Sequence, residues 1–297
     1  MKNLYRISTS VLLIITLSGC ALTSTQKEAA SSFALASASI GDFSATEFNH
    51  FRTATIDMNV TSVAIHGNAK LLNAKDEPNL DEALKPERVI ERVKAAQALS
   101  SYGKLLLSLV TETQEAELKQ ASNNFVDSFK SASNKKLKIS DAQLEGLGQL
   151  VQAIGSLWVE KEKADAVKEI VHHAGSSVDE LCSQLIDDFN ATGLQSAQGF
   201  DATISNLIVD ADMALKAKGT SYTNRLIAIN GMKQAWGERE HLTNISSQAI
   251  TTLEKLKTAN EQLIQAIEND SLSIDDIKAL GKEVSNLRSA INALSGN

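Results

Sequence analysis

Apolar residues recur at alternating three- and four-residue steps along most of the chain, the spacing that gathers one face of an α-helix. The last segment shows the pattern without a fault: Ile277, Leu280, Val284, Leu287, Ile291 and Leu294 alternate β-branched residues with leucine, as a coiled-coil seam does. Ser273 with Asp276, and Leu272 with Ile277, supply a capping-box variant and a hydrophobic staple at its start. Upstream, Ile229, Met232, Trp236, Leu242, Ala249, Leu253, Leu256, Leu263 and Ile267 predict one helix from about Ser221 to Glu268. At 1.5 Å per residue it spans about 72 Å, longer than a compact domain is wide. Asn260 falls on its seam between Leu256 and Leu263. A buried Asn there would fix register; a polar residue tolerated near solvent is the simpler expectation.

The middle of the chain reads the same way. Ser140 and Gln143 make a capping box with Ile139 and Leu144 as staple, and Leu144, Leu147, Val151, Ile154 and Trp158 follow it. The stripe slips between Trp158 and Ala164 and resumes through Val167, Val171, Ala174, Val178, Leu181 and Leu185, which is expected as a stutter or kink within a helix. Gly193 and Gly199 weaken the pattern before Phe200, Ile204, Leu207, Ala211 and Leu215 restore it, and residues 217–220 (AKGT) read as a turn. Earlier, Pro86 suits the first position of a helix that carries Val89, Val93, Ala96, Leu99, Tyr102, Leu106 and Leu109, and that is expected to continue through Leu118, Phe125 and Phe129. Residues 131–138 (SASNKKLK) read as a turn, and the two prolines, Pro78 and Pro86, mark residues 73–86 as a linker.

The N-terminal third is more ambiguous. Ser44 with Glu47, and Phe43 with Phe48, predict a helix start, while residues 21–32, rich in Ala, Ser, Thr and Gln, read as a flexible tether. Between residues 53 and 72, Ala54, Ile56, Met58 and Val60 alternate as in a strand, but Phe48, Phe51, Met58 and Ile65 share a helical face, and helix is the expectation.

The first twenty residues are different in kind. Lys2 and Arg6 precede an apolar run, Val11 to Leu17, that leads through Ser18 and Gly19 to Cys20. The run is too short for a membrane span, which needs about 20 residues. Leu17-Ser18-Gly19-Cys20 resembles the lipobox of bacterial prolipoproteins, a likeness that covers only the signal and this box. It implies a diacylglyceryl thioether on Cys20, cleavage before that residue, and attachment to a bilayer through acyl chains. Ala21, where an Asp would mark retention, resembles the pattern sent to the outer membrane of Gram-negative cells, facing the periplasm. Organisation is then expected as residues 1–19 signal, 20–43 lipidated tether, 44–85 N-terminal helical segment and linker, and 86–297 long helical bundle.

Composition narrows the partners. Losing Lys2 and Arg6 with the signal moves the net charge from −7 to −9, which disfavours nucleic acid. Envelope proteins or a second copy are the expected protein partners. Two prolines and 4% aromatics suit helices better than a β-rich domain. With Cys20 acylated, Cys182 stands alone as a small core residue.

Catalytic and metal constellations are not legible. His172 and His173 point about 100° apart on a helix, and His173 has only Glu169 one turn back. No nucleophile elbow, phosphate loop or zinc signature occurs. Neither a catalytic residue, a metal nor a cofactor is therefore expected. Two stretches carry alternatives. Residues 146–159 (GLGQLVQAIGSLWV) lack charge and read as a buried helix or, in a membrane-active, pore-forming-like protein, as an inserting segment. Lys130, Lys135, Lys136 and Lys138 read as helix-end lysines or an anion contact. The resulting expectation is all-α: an elongated antiparallel bundle with coiled-coil-like long helices, anchored by lipid and acting as a structural or interaction protein, not an enzyme.

Overall fold

The computed structural model describes residues 22–66, 80–81, 84–111, 115–132, 139–155, 160–190, 193–196 and 199–269. Among them are seven helices and no strand: α1 (Ser24–His66), α2 (Pro86–Val110), α3 (Glu115–Ala132), α4 (Asp141–Gly155), α5 (Glu160–Phe189), α6 (Phe200–Lys216) and α7 (Tyr222–Asn269). The fold is the expected all-α bundle. The lipobox, the basic residues 135–138 and the C-terminal stripe from Ile277 to Leu294 lie outside the described residues.

The expected tether is helical. Residues 24–43 are not a linker but the first half of a 43-residue helix, which also carries the predicted start at Ser44 through its interior. Thr23 caps it: the Thr23 amide donates to Gln26 Oε1 at 2.9 Å and the Gln26 amide to Thr23 Oγ1 at 3.1 Å. Alanine is the best helix former, and Ala29, Ala30, Phe33, Ala34, Ala36 and Ile40 are all buried. The small side chains permit backbone contact with α2, which crosses antiparallel to α1. A Cβ on Gly41 would sit 2.5 Å from the Ser100 nitrogen, and one on Gly103 2.4 Å from the Ala34 carbonyl oxygen. Ser37 donates across the same seam to the Leu99 carbonyl at 3.0 Å. Helix then continues to His66, with Phe48, Phe51, Met58 and Ile65 inward, so the helical reading of residues 53–66 holds.

Two further corrections shorten helices that the stripe pattern ran together. The expected helix through Phe129 ends at Val110, where Thr111 takes an extended conformation and its hydroxyl donates to the Leu107 carbonyl at 2.7 Å. α3 folds back, bringing Phe125 and Phe129 within 6.3 and 6.4 Å of the Tyr102 ring. Had the helix run straight, Phe125 would stand about 35 Å from Tyr102. Likewise the slip before Ala164 separates two helices rather than bending one: Gln143, Leu147 and Leu150 of α4 share a groove with Asp165, Lys168 and His173 of α5, an antiparallel pairing. The box at Ser140 closes as expected, with mutual bonds to Gln143 of 2.9 and 3.3 Å.

Helix α7 matches its expected range, 48 residues from Tyr222 to Asn269. Asn260 is the exception to the simpler reading: it is fully buried, and its Nδ2 donates to the Gly175 carbonyl at 2.8 Å and to Asp179 Oδ1 at 3.0 Å. It fixes the antiparallel register of α5 and α7 within one chain. Lys257, which donates to Ser183 at 2.8 Å, keeps the same register. Cys182 is buried as expected, and burial pushes its thiol pKa well above the usual range.

All eight phenylalanines are buried. Phe33 joins Phe125 and Phe129 around Tyr102, tying α1, α2 and α3 together. Phe48 stacks on Phe189 at 4.8 Å and Phe51 meets Phe200 at 4.8 Å, tying α1 to α5 and α6. Arg92 lies over Phe48 and binds Asp188 at 2.9 Å.

Because the α1–α2 seam has no room for a methyl group, Gly103→Ala should destabilise the fold by about 3 kcal/mol, near the upper end for overpacked sites. In a protein of this size that lowers the thermal midpoint by roughly 6–12 °C. Gly237→Ala, whose Cβ meets nothing within 4 Å, serves as the control and should leave the midpoint unchanged or raised in the same calorimetric scan.

Candidate functional site

Several histidines and carboxylates pair across helices. α1 presents Glu47 and His50 three residues apart on one face, and α7 presents Glu238 and His241 with the same spacing. Antiparallel packing matches them crosswise: His50 Nε2 lies 3.2 Å from Glu238, and His241 Nε2 lies 2.7 Å from Glu47. The two imidazoles are 4.7 Å apart. The Glu238 hydrogen bond raises the His50 pKa most, and the Glu238 and Glu47 charges add to it against a lowering by burial. Repeated E-x-x-H spacing was the available signal for this cluster, but the pairing depends on a register between helices almost 190 residues apart. Among the described residues no three ligating side chains form a group that could hold a metal ion. Each imidazole here is matched with one acid.

Further along α1, Asp210 of α6 accepts a hydrogen bond from Ser62 and lies 2.6 Å from His66 Nε2. A nucleophilic serine needs the imidazole beside its hydroxyl. Here the carboxylate stands between them, so His66 is not placed to take the Ser62 proton. The arrangement joins α1 to α6.

His173 pairs with Glu169 at 3.2 Å on α5, as its spacing suggests. The pair borders a groove of about 620 Å³ between α4 and α5 that Gly146, Leu147 and Leu150 also line. Within the uncharged stretch, Leu147, Gly148 and Val151 are buried while Gly146, Gln149, Gln152 and Ala153 are exposed, so its described part buries one face of α4. Ser122 donates to the Gly148 carbonyl at 3.3 Å, and a Cβ on Gly148 would meet Val126 at 2.9 Å. Lys130 pairs with Glu145 at 2.6 Å; this bond raises the lysine pKa and lowers that of the carboxylate. Leu17, Ser18, Gly19 and Cys20 lie outside the described residues.

Set against protein-family models, curated proteins and solved structures, the chain matches none. No relative therefore supplies a role for these residues. Among the described helices, none is long and apolar enough to cross a membrane.

The raised His50 pKa makes a pH prediction. Its folded value lies above its unfolded one, so protonation of His50 favours the folded state. That contribution is complete below about pH 6.5 and is lost as pH rises through the folded pKa. Histidine ring signals followed by NMR should show His50 titrating above 6.5 in the wild-type protein and at a lower pH in Glu238→Gln. An unchanged midpoint in that variant would rule out Glu238 as the cause.

Proposed function

We propose that the protein is a lipid-anchored component of a bacterial cell envelope whose helical body has a structural or protein-interaction role. One observation carries this reading: a basic start, a short apolar run and the Leu17-Ser18-Gly19-Cys20 box occur in the order that acylation and signal cleavage require. Two or three acyl chains at about 0.8 kcal/mol per buried methylene suffice for stable attachment where one chain does not. Helix α1 starts at Ser24, so an acyl group on Cys20 would be coupled to a long helix through very few residues. Thr23 and Gln26 cap that junction. Lateral position and orientation of the bundle relative to the bilayer would then be constrained more tightly than by a disordered tether.

The engagement of buried His, Asp and Glu groups in helix-to-helix pairs favours an interaction role over a catalytic one. With Ala21 after the anchor, the reading extends to the periplasmic face of an outer membrane in a Gram-negative host.

Cys20→Ser tests the anchor. Mass spectrometry of the membrane fraction should find the wild-type chain starting at Cys20 with added acyl mass, and the variant as a full-length, unacylated precursor. A variant that is cleaved at the same place and still carries lipid would overturn the proposal.

A further inference from the structure

The α6–α7 hairpin departs from the rest of the molecule in both burial and charge. Tyr222, Leu226, Ile229 and Trp236 are 82%, 45%, 53% and 55% exposed, although every phenylalanine in the chain is buried. Their four- and three-residue steps place them on one stripe of α7. Ala228, Ala235 and Leu242, on the opposite side of the helix, supply its core face. The first four turns of α7 are thus apolar on two faces, and the bundle uses only one.

Charge follows the same boundary. Residues 213–237 contain Lys216, Lys218, Arg225 and Lys233 and no Asp or Glu, in a chain of net charge −7. All four cations are exposed. Lys216 is paired with Asp212 at 2.7 Å, one turn back on α6. On the helix, Arg225 borders the apolar stripe and Lys233 lies within it, between Ile229 and Trp236. The hairpin turn, with Gly219 at φ 85°, projects Lys218 at the tip.

Leu and Ile between an exposed Tyr and Trp, with Lys and Arg alongside and acids only at the margins, in Asp212, Glu238 and Glu240, is the chemistry of a helix lying in the interface of an anionic bilayer. We propose that the first four turns of α7 and the hairpin tip form a peripheral binding surface for anionic lipid headgroups. The basic side chains would meet the headgroups, and the stripe would enter the boundary between headgroups and acyl chains.

This surface stands apart from the signal sequence and is independent of acylation at Cys20. Position gives it a consequence for the anchored protein, however. Ile65, near the end of α1, faces Gly231, so the hairpin lies about 60 Å along α1 from its capped start. Lipid at one end and the stripe at the other would hold the bundle along a membrane surface.

Trp236 is the natural reporter, because only one other tryptophan, Trp158, is present. Full-length protein carrying Trp158→Phe is mixed with phosphatidylglycerol or phosphatidylcholine vesicles, some with brominated acyl chains. The same signal is read as the difference between wild type and Trp236→Phe, so the test does not depend on Trp158→Phe folding. Trp236 emission should shift to the blue and be quenched by brominated phosphatidylglycerol but not by brominated phosphatidylcholine. Arg225→Glu with Lys233→Glu should weaken this association by about 25-fold or more, from roughly fivefold for each of the two cations lost. Absence of a shift on phosphatidylglycerol, or equal shifts on both lipids, would overturn the proposal. A shift that needs protein concentration and no vesicles would assign the stripe to a second copy and overturn it as well. Whether Cys20 carries lipid is read separately by mass, so failure of either idea is distinguishable from failure of the other.

Discussion

Backbone contact between α1 and α2 constrains where the other helices can lie. Gly41 and Gly103 bring the two helices so close that a methyl group on either would overlap main-chain atoms of the partner. At that distance Ser37 and Ser100 bond across the seam, to the Leu99 carbonyl and to Asp42. α2 in turn positions Tyr102 for the two phenylalanines of α3. The far half of α1 emerges beyond α2 and becomes the surface on which α6 and α7 pack. A helix pair of ordinary spacing would displace each of these contacts, because packed interiors accommodate changes of one methylene poorly.

Polar groups refine what apolar packing leaves open. Helical stripes fix which faces are inward but tolerate sliding by a turn. Asn260 donates into α5 from a fully buried position, and the crossed pairs of Glu47 with His241 and His50 with Glu238 specify how α7 meets α1. Buried or half-buried groups of this kind contribute less to net stability than to choosing one register. The same ionisable side chains that resemble fragments of catalytic sites in the sequence thus serve as alignment devices between helices.

Long stripes and the boundaries set by Pro86, the Ser140 box and the 217–220 turn were legible from residue spacing, and so was α7 almost to the residue. Chain reversals were less legible, because Val110 to Glu115 and Gly155 to Glu160 leave the three- and four-residue rhythm nearly intact on both sides. The aromatic contacts of Tyr102 with Phe125 and Phe129 require the first reversal. The Ala- and Ser-rich stretch after Leu22 has the composition of a linker, yet small residues are what a close helix crossing demands. Its Thr23–Gln26 cap had the same form as the box recognised at Ser140. Asn260 and the crossed histidine pairs depend on contacts distant in sequence, which no local pattern encodes.

The proposed anchor at Cys20 would join the membrane, a helix that begins almost at once, and the bundle built on that helix into one mechanical unit. That unit requires residues 24–43 to be helix packed against α2. Hydrogen–deuterium exchange of the intact protein tests that most directly. Amides from about residue 28 to 43 should exchange as slowly as those in the buried centre of α7, because both are hydrogen-bonded within the same cooperative core. Exchange of that stretch at the rate of an unstructured peptide, with α7 still protected, would contradict the account.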